Sequence, residues 1–222
     1  GVSIGSGVCY TDLVKHPLIQ QRYPLLVTAC KTVGSLQLRN RATIGGNIVN
    51  AAPCADSMPP LIIYEAEVEL RSARGTRRMP VSEFVIGGYR TLLEPDELVI
   101  RFILPAPTQQ PLINRYLQLG RRNALNITRQ SLTGQFMVDK GVVRLCRLVD
   151  GALLAKPQRL LEVEQALIGR TLDAATIDYA AGVLHARVEK AIGGRWSAPY
   201  KVPVFIDMFR QMLQEVMTEQ KK

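Results

Sequence analysis

The sequence has few of the residues that build metal centres and nucleophilic active sites. It contains only two histidines, His16 and His185, and its four cysteines lie 21, 24 and 92 residues apart, with no C-x-x-C pair among them. Zinc and iron–sulfur sites need Cys or His ligands at short spacing, so we expect no metal in this chain. No Ser-His-Asp set stands out, so we expect no catalytic residue either. Unpaired thiols are typical of a reducing compartment and predict a cytoplasmic protein.

Long apolar runs and the common phosphate-binding motifs are also absent. No stretch reaches about 18 apolar residues, which excludes a membrane-spanning helix. There is no G-x-x-x-x-G-K-[ST] loop and no G-x-G-x-x-G after a strand, and residues 4–7 supply only a short G-x-G. The chain starts with Gly1 and lacks the basic and apolar regions of a signal peptide. We interpret this start as a fragment edge or a processed end.

Composition predicts a folded protein with an uneven charge. The 222 residues are 47% hydrophobic and 21% charged, which is enough for one large domain or two small ones. Residues 1–110 carry 11 basic and 9 acidic side chains, whereas residues 111–222 carry 17 and 10. A basic second half suits an anionic cofactor, an acidic partner or nucleic acid. Nucleic acid is the weakest of these, because aromatic residues are only 6% and no binding motif accompanies the arginines.

Hydrophobic periodicity predicts an α+β protein with two lobes. Residues 65–71 alternate between apolar and charged side chains, which indicates a half-buried strand. Three prolines within residues 105–111 predict a linker, so we place one domain at residues 1–107 and the other at 112–222. For the second domain we expect an antiparallel sheet followed by helices at 157–168, 173–192 and 203–217. Residues 36–55 show no regular period and predict a packed, irregular segment.

That irregular segment contains the most suggestive chemistry. Residues 42–47 read Ala-Thr-Ile-Gly-Gly-Asn, and Asp56 follows nine positions later. Paired glycines let a ligand approach the backbone closely and offer N–H groups to phosphate oxygens. Thr43 and Asn47 add a hydroxyl and an amide, and Asp56 adds a carboxylate for sugar hydroxyls. The pattern indicates a nucleotide-binding site, and the alternative is a glycine-rich turn capped by the asparagine.

The same residues resemble a known family. The run at 38–48, LRNRATIGGNI, with AAPCAD at 51–56, closely resembles the FAD-binding subunit of molybdenum hydroxylases, the xanthine dehydrogenase and carbon monoxide dehydrogenase flavoprotein family. Further motifs of that family are matched at residues 65–70, 75–80, 96–105, 121–127 and 196–201. The resemblance implies a PCMH-like FAD-binding lobe of α+β structure followed by an α+β C-terminal lobe.

The resemblance also implies a cofactor site. Contacts to the FAD diphosphate and ribityl chain would come from Ala42, Thr43, Gly45, Gly46 and Asn47. Ile48 would line the same wall, and Asp56 would bind ribityl or ribose hydroxyls. Val33 and Val99 would border the flavin.

Two departures from the family pattern bear on function. The family begins with a lobe whose A-G-G-T-D loop also clasps the diphosphate, and nothing before Gly1 corresponds to it. We therefore expect part of the site to come from elsewhere. The family often has a lysine near the flavin where this chain has Gln118. A neutral glutamine stabilises an anionic reduced flavin less than a lysine does. This predicts an altered redox potential or a different electron acceptor.

The implied function is electron transfer. In that family, electrons from a molybdenum centre pass through two [2Fe–2S] clusters to FAD and then to NAD or another acceptor. Molybdopterin and iron–sulfur would belong to a large molybdenum-binding subunit and a small iron–sulfur subunit, in a hetero-oligomer for which the basic second half is a candidate docking face. The alternative is a degenerate assembly module that docks these partners without binding flavin.

Overall fold

Two α+β lobes follow one another along the chain in a computed structural model that describes residues 1–108, 111–122 and 125–220. The predicted fold class is confirmed. Part of the predicted linker, residues 109–110, lies outside the described residues. So do residues 123–124, in the middle of the family motif at 121–127, and the last two residues of the predicted second domain. Within the described residues no helix is long and apolar enough to cross a membrane.

The first lobe is built on a four-stranded antiparallel sheet in the order β1-β6-β2-β3, with a small β4-β5 ribbon beside it. The strands are β1 Val2–Gly5, β2 Glu67–Ser72, β3 Gly75–Pro80, β4 Val85–Gly87, β5 Arg90–Thr91 and β6 Leu98–Leu104. The predicted alternation is confirmed, since Val68 and Leu70 are fully buried in the core. On the opposite face Glu69 is 1% exposed, because Arg78 and Arg101 cover it and bond its carboxylate.

Within the described residues, seven short helices accompany this sheet in the first lobe. They are α1 Tyr10–Lys15, α2 Pro17–Arg22, α3 Pro24–Thr32, α4 Leu36–Arg39, α5 Ile44–Asn50, α6 Met58–Ile63 and α7 Val81–Phe84. Two of them, α5 and α7, pack directly on the sheet. The prediction of an irregular segment at 36–55 was wrong, because α4 and α5 lie within it. Their stability comes from capping rather than from a long apolar stripe: the Ser35 hydroxyl accepts from the Leu38 N–H, and the Thr43 hydroxyl accepts from the Gly46 N–H. Ala51, with φ of 47°, ends α5.

The second lobe packs helices on a three-stranded antiparallel sheet in the order β7-β8-β9. Its elements are β7 Ile113–Leu119, β8 Gln130–Asp139, β9 Val142–Gly151, α8 Leu161–Leu167, α9 Ala174–Ile192 and α10 Ala198–Glu219. The first and third predicted helix starts were wrong. Helix α8 begins four residues after Pro157, and α10 begins at Ala198 with Pro203 inside it. Pro203 removes one backbone hydrogen bond, but the buried stripe that includes Phe205 and Phe209 continues the helix.

Helix α6 joins the two lobes by packing against β8 and β9. Arg147 on β9 donates from Nη1 to the Ile63 carbonyl at 3.1 Å. Lys156 donates from Nζ to the carbonyls of Ser82 and Val85, each at 2.9 Å. The lobes therefore share a continuous interface, and side chains of both can contribute to one site.

Candidate functional site

The start of α5 carries the glycine-rich motif, and its backbone donors are already used. The Gly45 N–H donates to the Ser6 carbonyl at 2.9 Å, and the Gly46 N–H donates to the Thr43 hydroxyl at 3.1 Å. The sequence suggested that these two N–H groups receive phosphate oxygens. In the structure they hold a loop and a cap instead, so ligand donors must come from neighbouring groups.

The two glycines have different roles. A Cβ at Gly45 would lie 2.6 Å from the Ser6 Cβ and 2.7 Å from the Ser6 carbonyl oxygen, so glycine is required for the loop at residues 5–7 to pack on α5. Gly46 is exposed, and a Cβ there would meet only the Thr43 hydroxyl, at 3.1 Å. Gly46 is therefore the glycine whose surface is open to a ligand.

Free hydrogen-bond donors lie next to Gly46 and on the loop that packs against Gly45. The Ser57 hydroxyl donates to Asn47 Oδ1 at 2.9 Å, which fixes the amide and leaves its Nδ2 group without an acceptor among the described residues. The Thr43 hydroxyl proton and the N–H groups of Thr43 and Gly7 also have no acceptor in the described chain. A set of neutral donors with no carboxylate among them suits a ligand rich in acceptor oxygens, such as a diphosphate.

Asp56 lies at the boundary between the lobes and is only 8% exposed. Its Oδ1 accepts from the Tyr116 hydroxyl at 3.2 Å, Gln118 Nε2 at 3.1 Å and the Thr128 hydroxyl at 2.5 Å. Burial raises the pKa of this carboxyl, and the three hydrogen bonds oppose that rise. Its Oδ2 accepts from no described residue, so one carboxylate oxygen remains for a ligand hydroxyl.

Gln118 is held toward Asp56. Its Nε2 donates to the Thr128 hydroxyl as well as to Asp56, because a carboxylate attracts the amide N–H₂ and repels the amide oxygen. The side chain also lines a cavity of about 590 Å³ between the lobes. Gln118 adds no charge to this cavity, whose cations come from Lys31, Arg39 and Arg122.

The remaining predicted residues differ in accessibility. Ile48 is completely buried in the first-lobe core, which leaves no side-chain surface for a ligand. Val99 on β6 and Val33 after α3 are half-buried. Ala42 is half-buried and its carbonyl accepts from the Tyr10 N–H at 3.2 Å.

The structure joins the predicted residues into one region. Ser6 links β6 to α5, since its N–H donates to the Ile100 carbonyl at 2.9 Å and its carbonyl accepts from Gly45. Asn47 bonds Ser57, the neighbour of Asp56, and Asp56 bonds Gln118. Sequence reasoning missed Tyr116 and Thr128, which lie 60 and 72 residues from Asp56.

Two family models match the chain. Residues 1–107 match the family model of the FAD binding domain in molybdopterin dehydrogenase. Residues 116–216 match that of the CO dehydrogenase flavoprotein C-terminal domain.

Individual relatives span most of the chain. The chain is 28% identical over 214 residues to the xanthine dehydrogenase FAD-binding subunit of Escherichia coli O157:H7, covering 96% of this chain and 73% of that protein. It is 28% identical over 225 residues to the nicotinate dehydrogenase FAD-subunit of Eubacterium barkeri, covering 98% and 75%. Among solved structures, a carbon monoxide dehydrogenase chain from Hydrogenophaga pseudoflava superposes with a TM-score of 0.86 at 29% identity, covering 94% of this chain and 72% of that one.

Proposed function

The chain belongs to the family of FAD-binding medium subunits of molybdenum hydroxylases, and on this premise we propose how it uses the candidate site. We propose that it holds FAD against the start of α5 and along the boundary between the lobes. Electrons from the [2Fe–2S] clusters of a partner subunit then reach NAD or another acceptor through this subunit. FAD, when bound, supplies the redox chemistry that connects one-electron carriers with a two-electron acceptor.

The arrangement of free donors and acceptors carries this proposal. Thr43, Asn47 and Gly7 present donors that suit the acceptor oxygens of a diphosphate. Asp56 presents one free carboxylate oxygen that suits a donating ribityl or ribose hydroxyl. The site therefore offers hydrogen-bond donors at one end and a free carboxylate oxygen at the other. This arrangement suits a dinucleotide, which has both a diphosphate and sugar hydroxyls, better than a simple anion.

Gln118 brings no charge to the site. Its amide N–H groups are directed to Asp56 and Thr128, so a neutral side chain stands where relatives often carry a lysine. A neutral group stabilises an anionic reduced cofactor less than a cation does. We propose that this subunit therefore works at a lower reduction potential than relatives with lysine.

The partners are a large molybdenum-binding subunit and a small iron–sulfur subunit, which would complete the enzyme and decide its substrate. We propose that the complex works in the cytoplasm, because all four cysteines are free thiols.

The experiment that tests the site adds bulk at Gly46. Gly46→Val should abolish FAD retention without unfolding the chain, because the side chain would occupy the open surface beside Thr43 and Asn47. Gly46→Ala adds only a Cβ and should retain more flavin. Gly182→Val is the matched control, since Gly182 is an exposed glycine in α9 with nothing within 4 Å of an added Cβ.

Flavin absorbance and far-UV circular dichroism of the purified proteins give the result. Normal flavin content in folded Gly46→Val would contradict the site. A wild-type protein that stays colourless and cannot be reconstituted with FAD would favour the assembly-module alternative.

A further inference from the structure

One group of cations in the second lobe has no acidic partner. The group consists of Arg121, Arg122, Arg129, Arg195 and Lys201, and none of them takes part in an ion pair within the described chain. Three of them bond only backbone carbonyls, those of Leu125, Leu153 and Ala152. Other cations of this lobe, such as Arg115, Arg159 and Arg187, pair with carboxylates, so the charge of this cluster is less compensated than theirs.

These cations share one surface. Arg121, Arg122 and Arg129 line an open cavity of about 530 Å³ together with Asn126 and Ile127. The Arg129 guanidinium stands 6.0 Å from the centre of the Tyr200 ring. Burial lowers the pKa of Lys201, and the nearby charges of Arg195 and Arg129 lower it further, which places all three in one electrostatic field.

Exposed apolar side chains adjoin the cations: Ile127 lines the same cavity, Tyr200 faces Arg129, and Trp196 follows Arg195 in the chain. Trp196 is 94% exposed, Ile127 is 73% exposed and Tyr200 is 47% exposed. Trp, Tyr and Arg are the residue types that contribute most to protein–protein binding energy. We call the five cations together with Ile127, Trp196 and Tyr200 the docking patch.

The docking patch adjoins the candidate FAD site. Arg122 and Asn126 line both the cavity of the patch and the cavity that contains Gln118. Electron transfer slows steeply with distance, so a protein electron donor must dock beside the flavin. Uncompensated cations attract a carboxylate-rich surface, and the apolar side chains suit a protein better than a nucleic-acid backbone.

We infer that the docking patch binds an acidic face of the iron–sulfur partner subunit. The inference rests on the proposed function for the identity of that partner. Charge attraction brings the partner to the patch, and Trp196 and Ile127 become buried when it docks. The basic excess of the second half is then concentrated where the electron donor binds.

The only tryptophan of the chain gives a direct test. The full chain is labelled with 5-fluorotryptophan and titrated with the purified, unlabelled iron–sulfur subunit. The chemical shift of the single ¹⁹F resonance of Trp196 should change as the complex forms and should return to its free value when salt is raised. An unchanged chemical shift in the formed complex, whatever the linewidth, would overturn the inference.

Charge reversal supplies the second measurement. Arg121→Glu combined with Arg129→Glu should weaken the affinity for the iron–sulfur subunit by at least tenfold, because like charges then face each other. Trp196→Ala should weaken it without changing the fold, since the side chain is 94% exposed. Lys140→Glu is the matched control: it reverses an exposed charge in the same lobe, at the opposite end of β8, and should bind normally.

Flavin content separates this inference from the proposed function. The charge-reversed variant should retain wild-type FAD content, because none of its altered residues belongs to the FAD site. Unchanged partner affinity in that variant would refute the docking patch even if FAD is bound normally. Loss of binding to a mixed-sequence DNA duplex, with partner affinity unchanged, would assign the patch to nucleic acid and likewise refute the inference.

Discussion

Asp56 should serve both the stability of the fold and the binding of FAD, and two substitutions separate these roles. Asp56→Ala removes the acceptor shared by Tyr116, Gln118 and Thr128. Thr128 is 5% exposed, so its hydroxyl loses its acceptor in a place that water reaches poorly. Asp56→Asn retains an oxygen at Oδ1 and replaces the free Oδ2 by an amide donor.

The expected magnitudes follow from these contacts. A buried polar group left unsatisfied costs about 1–3 kcal/mol, and the half-buried Tyr116 and Gln118 add a smaller penalty because they can turn to water. Asp56→Ala should therefore lower the free energy of unfolding by about 2–4 kcal/mol. Asp56→Asn should change it by less than about 1 kcal/mol, because the weaker hydrogen bonds are offset by removing a buried charge.

FAD affinity should respond differently. A hydrogen bond to a charged group contributes about 1.5–3 kcal/mol, so losing the Oδ2 acceptor in Asp56→Asn should weaken FAD binding about 10- to 150-fold. Asp139→Asn, an exposed carboxylate at the far end of β8, should leave both quantities unchanged.

Urea unfolding followed by far-UV circular dichroism measures stability, and flavin fluorescence titration measures affinity. The reasoning is refuted if Asp56→Ala is as stable as wild type, or if Asp56→Asn binds FAD as tightly as wild type does.

Two further predictions concern packing and pH. Gly45→Ala should destabilise the chain by about 1–3 kcal/mol in thermal unfolding, because the new Cβ would lie 2.6 Å from the Ser6 Cβ. Gly7→Ala is the control and should be neutral, since an added Cβ there has nothing within 4 Å. Equal melting temperatures for the two variants would contradict this prediction. The Arg77 guanidinium lowers the pKa of Glu97 to about 2, so the pair should stabilise the fold above pH 4.5 and lose this effect as pH falls toward 2. The stability difference between wild type and Glu97→Gln should therefore shrink as the pH falls from 4.5 to 2, and a constant difference from pH 6 to pH 2 would refute the assignment.

The sequence pattern predicted the parts of the fold that depend on long periodicity. The alternation around Val68 and Leu70 is sufficient to predict β2, because one face of that strand is buried by the whole lobe. Helices α4 and α5 were missed because 4 and 7 residues are too few to show a helical period, and capping by Ser35 and Thr43 stabilises them instead. The start of α10 was missed because Pro203 normally opens a helix rather than lying inside one.

Some members of the candidate site can be proposed from the sequence, and others only from the structure. The glycine pair, Asn47 and Asp56 could be identified because they lie within one short segment. The requirement for Gly45 could not, because it depends on Ser6, which approaches from a loop 39 positions earlier in the sequence. The three hydrogen bonds to Asp56 come from another lobe, and only tertiary packing brings those donors to it.

The flavin content of the assembled wild-type enzyme is the most direct test of whether this chain binds FAD. The complex of this chain with its molybdenum and iron–sulfur subunits is purified, denatured, and assayed for released FAD against the amount of this chain. We expect one FAD per chain and a flavin absorbance spectrum in the native complex. A complete complex that contains no FAD and takes up none when FAD is added would contradict it.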